Sequence, residues 1–128
     1  MNINDYLEPV SLEKPDETYI SFESQFGSNI QVHTPSEPVK NINTFDIAIL
    51  GVPEDRNSFN KGSSLAPDLI RAALYQLSKI QTKKTIIDLG NLKEGNTFND
   101  TYHGLRDILL DLLNNQVIVF FVCILLNW

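Results

Sequence analysis

Histidine and cysteine, the residues most often recruited for metal and thiol chemistry, are nearly absent: 128 residues contain two histidines and one cysteine. The histidines, His33 and His103, stand far apart, and no His-x-x-x-His, Asp-x-His-x-Asp or cysteine cluster occurs. No metal site with workable ligand spacing can be assembled from such a set. A lone Cys123 forbids an internal disulfide and suits a reducing, cytoplasmic setting. It lies in an apolar run with no histidine nearby, which describes a buried, inert thiol rather than a nucleophile. Long apolar segments are missing too. The longest, Val117–Leu126, has ten residues, about half of the ~20 that a membrane-spanning helix needs. Met1–Pro15 is polar and acidic and lacks the basic-then-apolar pattern of a signal peptide. Internal repeats and low-complexity tracts are absent as well.

Positive charge is scarce at the amino end. Residues 1–44 carry seven acidic and two basic side chains, a net of −5, against nine and eight in the remainder, a net of −1. That acidic head repels nucleic acid and anionic membranes, so neither is expected as a partner. Its four prolines (Pro9, Pro15, Pro35, Pro38) and weak periodicity predict an irregular arm, with short strands near Tyr19–Phe22 and Asn29–His33.

From Phe45 onward the pattern becomes regular, and 42% hydrophobic content is enough for a core. Asp46–Leu50 is an apolar strand stopped by Gly51 and Pro53. After a polar loop, Pro67 and Asp68 open a helix expected over Pro67–Lys79, with Ile70, Ala73, Leu74 and Leu77 as its apolar face. A second buried strand, Thr85–Leu89, ends at Gly90. A second helix, Thr101–Asn114, is expected with Asp100 or Thr101 as its cap and Leu105, Ile108, Leu109, Leu112 and Leu113 as its stripe. Val117–Val122 reads as a third buried strand. This β-α-β-α-β order predicts an α/β fold with a parallel sheet covered by helices on both faces, over residues 45–128.

Chemistry in such sheets gathers in loops at the carboxyl ends of strands. The loop Gly51–Ser64 offers Glu54, Asp55, Arg56 and Lys61 to a charged ligand, although loops of this kind are solvated by default. Lys61-Gly62-Ser63-Ser64 is no phosphate loop, because the lysine precedes the glycine instead of following it. His103 reads as a helix-surface residue. Asp88, at the end of the second strand, is placed to orient a loop or cap an N–H.

One combination is more specific. Ile49-Leu50-Gly51-Val52-Pro53, then Gly62, then Ala66-Pro67-Asp68-Leu69-Ile70-Arg71 resembles the opening of the ureohydrolase family, which includes arginase, agmatinase and formimidoylglutamase. Ile87-Asp88-Leu89-Gly90-Asn91 looks like the family's second strand, and His103-Gly104-Leu105-Arg106 like its next helix. The resemblance spans Phe45 to Val119. Ala66 stands where the family usually has glycine, and Asn91 where it commonly has aspartate. The resemblance implies a three-layer α/β/α, arginase-like fold, incomplete in this chain. It also implies hydrolysis of guanidino or amidino C–N bonds by two manganese ions that activate water. The family's ligand motifs, a Gly-Gly-Asp-His turn, Asp-x-His-x-Asp and Asp-x-Asp, have no counterpart here, so no catalytic or metal residue is carried over and the substrate contacts are unknown. An inactive amino-terminal piece is expected, the family pattern dissolving after Val119 through a shifted frame or early stop. Its sheet edge and apolar Cys123–Trp128 end are expected to promote self-association. The alternative is a non-catalytic α/β interaction module whose open sheet needs a partner.

Overall fold

The computed structural model describes residues 1–12, 22–59 and 61–123. The three apolar runs become strands, β3 at Ile47–Gly51, β4 at Ile86–Leu92 and β5 at Ile118–Val122, although β4 does not stop at Leu89 as expected but continues through Gly90 to Leu92. Two shorter strands precede them, β1 at Leu7–Glu8 and β2 at Gln31–Val32. The helices are α1 at Ala66–Tyr75 and α2 at Phe98–Asn114. Spatial order is β1-β4-β3-β5, with β2 also pairing β4. β3 is parallel to both β4 and β5, β2 is parallel to β4, and β1 alone is antiparallel.

The first crossover runs from β3 to β4 and the second returns from β4 past β3 to β5, in opposite directions across the sheet, which places the two helices on opposite faces. Ala48, Leu50, Ile87, Leu89 and Val117 pack toward Leu105, Ile108 and Leu112 of α2. Ile49 and Val122, alternate residues on the pleat, pack toward Tyr75 of α1 and Phe26. The expected α/β/α layering with a mainly parallel sheet is therefore present. The cap of α2 differs from the reading of Asp100 or Thr101. Thr97 accepts from the Asp100 N–H while the Asp100 carboxylate accepts from the Thr97 N–H, a reciprocal capping box that starts the helix three residues early.

The first residues do not hang off the sheet as an arm. Ile3, Leu7 and Val39 join the α2-side core. The Asn4 side-chain amide grips both backbone groups of Val39, each at 2.9 Å. The strand expected at Asn29–His33 shrinks to Gln31–Val32, and the one at Tyr19–Phe22 falls, except for Phe22, outside the described residues, as does Ile124–Trp128.

α1 departs from its sequence reading in two ways. It ends at Tyr75 rather than Lys79, because the chain turns away to pair with residues 24–26. Leu77 carbonyl oxygen accepts from Phe26 N–H, and Lys79 N–H donates to Ser24 carbonyl oxygen. It is also rotated. The buried stripe is Pro67, Arg71 and Tyr75, while Ile70, Ala73 and Leu77 face outward. The cause lies under the helix, in β4. Nor is β5 buried as its apolar sequence suggests: it is an edge strand among the described residues, with Ile118, Phe120 and Phe121 exposed.

Candidate functional site

Asp88 projects from β4 toward α1 and is fully buried. A carboxylate in that position needs a partner, and α1 supplies two. Arg71 Nε and Nη2 donate to Asp88 Oδ2 and Oδ1 at 2.7 and 3.1 Å, and the Tyr75 hydroxyl donates to Oδ2 at 2.6 Å. The guanidinium, also fully buried, donates further to Gly90 carbonyl oxygen, Asn91 Oδ1 and Asp68 Oδ1. Asp88 Oδ1 in turn accepts from Gly90 N–H at 3.0 Å. Burial by itself would lower the Arg71 pKa, but hydrogen bonding to Asp88 and its charge outweigh this and hold it above the ordinary value. Burial, reinforced by the charge of Asp88, raises the Tyr75 phenol far out of the working range, so it remains a donor. Asn91 lies so close over Gly51 that a Cβ there would overlap its side-chain oxygen. The motif residues Gly51, Pro67, Asp68, Arg71, Asp88, Gly90 and Asn91 thus meet in one place, as a buried brace between α1 and the sheet.

The second cluster lies at the carboxyl edge, where β3 and β4 deliver their loops. Arg56 forks onto the buried Glu54 carboxylate, with Nε at 2.9 Å from Oε1 and 3.1 Å from Oε2. It then reaches across to the next loop. Nη1 donates to the Gly95 and Asn96 carbonyl oxygens at 3.1 and 3.0 Å, and Nη2 to Thr101 Oγ1 at 2.9 Å. Asp55 Oδ2 closes the first loop on itself by accepting from Gly62 and Ser64 N–H, and Lys61 Nζ donates to the Asp55 and Arg56 carbonyl oxygens. The hydrogen bond to Gly62 N–H keeps the Asp55 carboxyl below its ordinary pKa.

The four residues that the sequence offered to a ligand are therefore brought together, each engaged within or between the loops. Sequence reasoning missed Thr101 and Tyr75 as partners. The Glu54-x-Arg56 spacing was a visible signal for the first cluster; nothing local marked Tyr75.

Hydrogen bonding to Arg56 lowers the Glu54 pKa below the ordinary glutamate value of 4.5. A carboxylate lowered on folding contributes stability above its unfolded pKa and loses it as pH falls through the folded one. Glu54→Gln is expected to make the melting temperature less sensitive to acidification across that window. A variant with the same acid limb as the parent would show that the pair contributes nothing.

A manganese centre does not fit these residues. His33 is buried, with Nδ1 2.8 Å from the Leu89 carbonyl oxygen, and His103 lies on the exposed surface of α2 beside Tyr102. Glu54, Asp55 and Asp88 are occupied as described, and among the described residues no three His, Cys, Asp or Glu side chains converge. Burial raises the Cys123 thiol, which lies at the end of β5 and is half-buried. A concavity of about 530 Å³ lies at the opposite edge, at the amino end of β4, lined by Lys79, Lys83, Lys84, Phe26 and Ile30 among others. It touches neither cluster.

Residues 45–122 match the model of the arginase family. The chain belongs to the arginase family. The matched stretch runs from the start of β3 to the end of β5 and contains both clusters. The structure of Trypanosoma cruzi formiminoglutamase with manganese superposes with a TM-score of 0.59 at 18% identity. The alignment covers 76% of this chain and 34% of that one, so this arginase-family chain spans about a third of its solved neighbour. No curated protein matches it.

Proposed function

We propose that this chain is the sheet-forming first part of a manganese-dependent ureohydrolase, built to hydrolyse guanidino or amidino C–N bonds, and that it is inactive by itself. The observation that carries the reading is the conversion of the family-motif residues into a buried brace. Arg71, Asp88, Gly90 and Asn91 set where β4 ends and how α1 lies, and Arg56 ties together the loops that leave β3 and β4. These groups shape the carboxyl edge, where an α/β sheet of this order places its chemistry. The manganese in the formiminoglutamase neighbour supports the choice of metal. Arginase, agmatinase and formimidoylglutamase types remain equal candidates for its substrate, and a cytoplasmic setting suits its single thiol.

Purified chain supplied with manganese and arginine, agmatine or formimidoylglutamate is expected to release neither urea nor formamide above buffer. Turnover abolished by a chelator would overturn the reading of inactivity. The encoding DNA supplies the second arm of the test. Translated in all three forward frames past the codon for residue 128, it is expected to show a Gly-Gly turn, then Asp-x-His-x-Asp, then Asp-x-Asp. Their absence from every frame removes the ureohydrolase-piece reading. It leaves the second reading, a non-catalytic module that takes a partner, favoured by the exposed apolar surface of α1 and β5.

A further inference from the structure

The segment that joins α1 to β4 holds the densest positive charge in an acidic chain. Lys79, Lys83 and Lys84 are three of its ten basic residues, and no acidic residue stands between Asp68 and Asp88, while the whole chain carries a net charge of −6. All three lysines are exposed, and among the described residues none forms an ion pair with a carboxylate. They border the concavity at the amino end of β4, whose volume of about 530 Å³ falls within the range of small-molecule sites, about 300–1,000 Å³. Its floor is apolar. Phe26 is buried there, and Ile30 and Ile86 pack half-buried against the same core cluster. Ile80, 62% exposed, adds an apolar wall.

The concavity is held open by the protein's own hydrogen bonds. Phe26 N–H donates to Leu77 carbonyl oxygen at 2.6 Å and Lys79 N–H to Ser24 carbonyl oxygen at 2.8 Å, which ties the chain leaving α1 to the turn that carries Phe26. At the other end Lys84 N–H donates to Thr82 Oγ1, and Thr85 donates to Thr44 carbonyl oxygen and the Asp46 carboxylate. A loop pinned at both ends spares a ligand much of the entropy of ordering it. We propose that this concavity binds a small soluble organic phosphate, its phosphate at the lysines and its apolar part on Phe26, Ile30 and Ile86. Ammonium groups are compact point charges that suit a multiply charged phosphate, whereas a single carboxylate would leave most of the positive charge unmatched. The apolar floor favours an ester over inorganic phosphate, which would leave that floor wet. A bilayer or a nucleic acid would bring extended negative charge against a chain that is acidic elsewhere. Hydrogen bonds from Thr85, and the charge of Lys84, hold the Asp46 carboxyl below its ordinary pKa. That carboxylate offsets part of the Lys84 charge, so Lys79 and Lys83 are the residues to test. The site does not depend on the hydrolase reading.

Phenyl phosphate titrated into the full chain by calorimetry is expected to bind more tightly than inorganic phosphate. It is expected to shift the amide resonances of residues 79–86, Phe26 and Ile30 and to leave those of Glu54 and Arg56 in place. Lys79→Ala combined with Lys83→Ala is expected to weaken binding by about tenfold or more, the loss that follows from a missing charge-assisted hydrogen bond. Both side chains are exposed, so the circular dichroism spectrum should not change. Lys40→Ala, exposed and outside the concavity, is expected to bind like the parent. Phenyl phosphate that fails to bind at millimolar concentration overturns the proposal, and so does binding that the double variant leaves unchanged. Equal affinity for phenyl and inorganic phosphate removes the apolar floor from the site and overturns the assignment of an organic ligand. Cosedimentation with phosphatidylinositol phosphate vesicles, lost in the double variant and unaccompanied by phenyl phosphate binding, assigns the lysines to a lipid headgroup and equally overturns it.

Discussion

Arg71→Met is expected to destabilise the chain by about 3–5 kcal/mol, the range for breaking a buried ion pair from one side. Against a typical domain stability of about 5–15 kcal/mol, that is enough to leave a marginal protein largely unfolded. The size follows from what is left behind. Arg71 and Asp88 have no solvent exposure, and the guanidinium supplies two of the four hydrogen bonds that the carboxylate accepts. Removing it leaves a buried charge served only by the Tyr75 hydroxyl and the Gly90 N–H, and frees the Gly90 carbonyl as well. Asp88→Leu alone leaves the buried guanidinium with the half-exposed Asp68 carboxylate and the Gly90 and Asn91 oxygens, a smaller loss than the one Asp88 suffers. Together the two substitutions remove both charges and leave mainly neutral polar groups unpaired, so the double variant is expected to lose clearly less than the sum of the single ones. Urea unfolding followed by circular dichroism measures all three. Strict additivity would mean that the pair acts as two independent residues, contrary to the geometry.

That brace also explains where sequence reading stopped. β3, β4 and β5 were legible as apolar runs between polar or glycine-bearing turns, the pattern of strands covered on both faces, although β4 runs on through Gly90 to Leu92 and β5 leaves Ile118, Phe120 and Phe121 exposed. α2 was legible because Leu105, Ile108 and Leu112 recur at helical spacing and bury together. Counting apolar residues failed on α1, since one buried carboxylate on β4 outweighed Ile70, Ala73 and Leu77 in deciding which side of the helix turned inward. Nor could β1 and β2 be seen. Each is two residues long, too short for alternation to show, and each exists because β4 offers it an unpaired edge. At the candidate site the residue types were visible and their pairing was not. Glu54, Asp55, Arg56 and Lys61 read as groups free to meet a ligand. The backbone turns around them, so their hydrogen bonds close within the loop and onto Gly95, Asn96 and Thr101.

Gly90→Ala is expected to be nearly as damaging as Arg71→Met, by a different route. β4 carries an extra residue here: Ile49 pairs with Asp88 and Gly51 with Asn91, so two steps on β3 face three on β4. Gly90 absorbs the mismatch with φ at +84°, a conformation that side chains disfavour by about 1–3 kcal/mol. A methyl group would also have no room. It would overlap the Glu8 carbonyl oxygen and stand 3.2 Å from the carbonyl carbons of Glu8 and Pro9, so β1 would have to move. Overpacking of that kind adds about 1–3 kcal/mol, for a combined loss of about 2–6 kcal/mol. Gly62 separates the two contributions, because its φ is +120° but nothing lies within 4 Å of where its Cβ would be. Gly62→Ala should therefore show the backbone cost alone. The excess at Gly90 should appear locally, as faster amide exchange at Lys93, whose N–H donates to the Tyr6 carbonyl oxygen just before β1. Equal losses for the two variants, or unchanged exchange at Lys93, would show that β1 does not depend on the glycine beneath it.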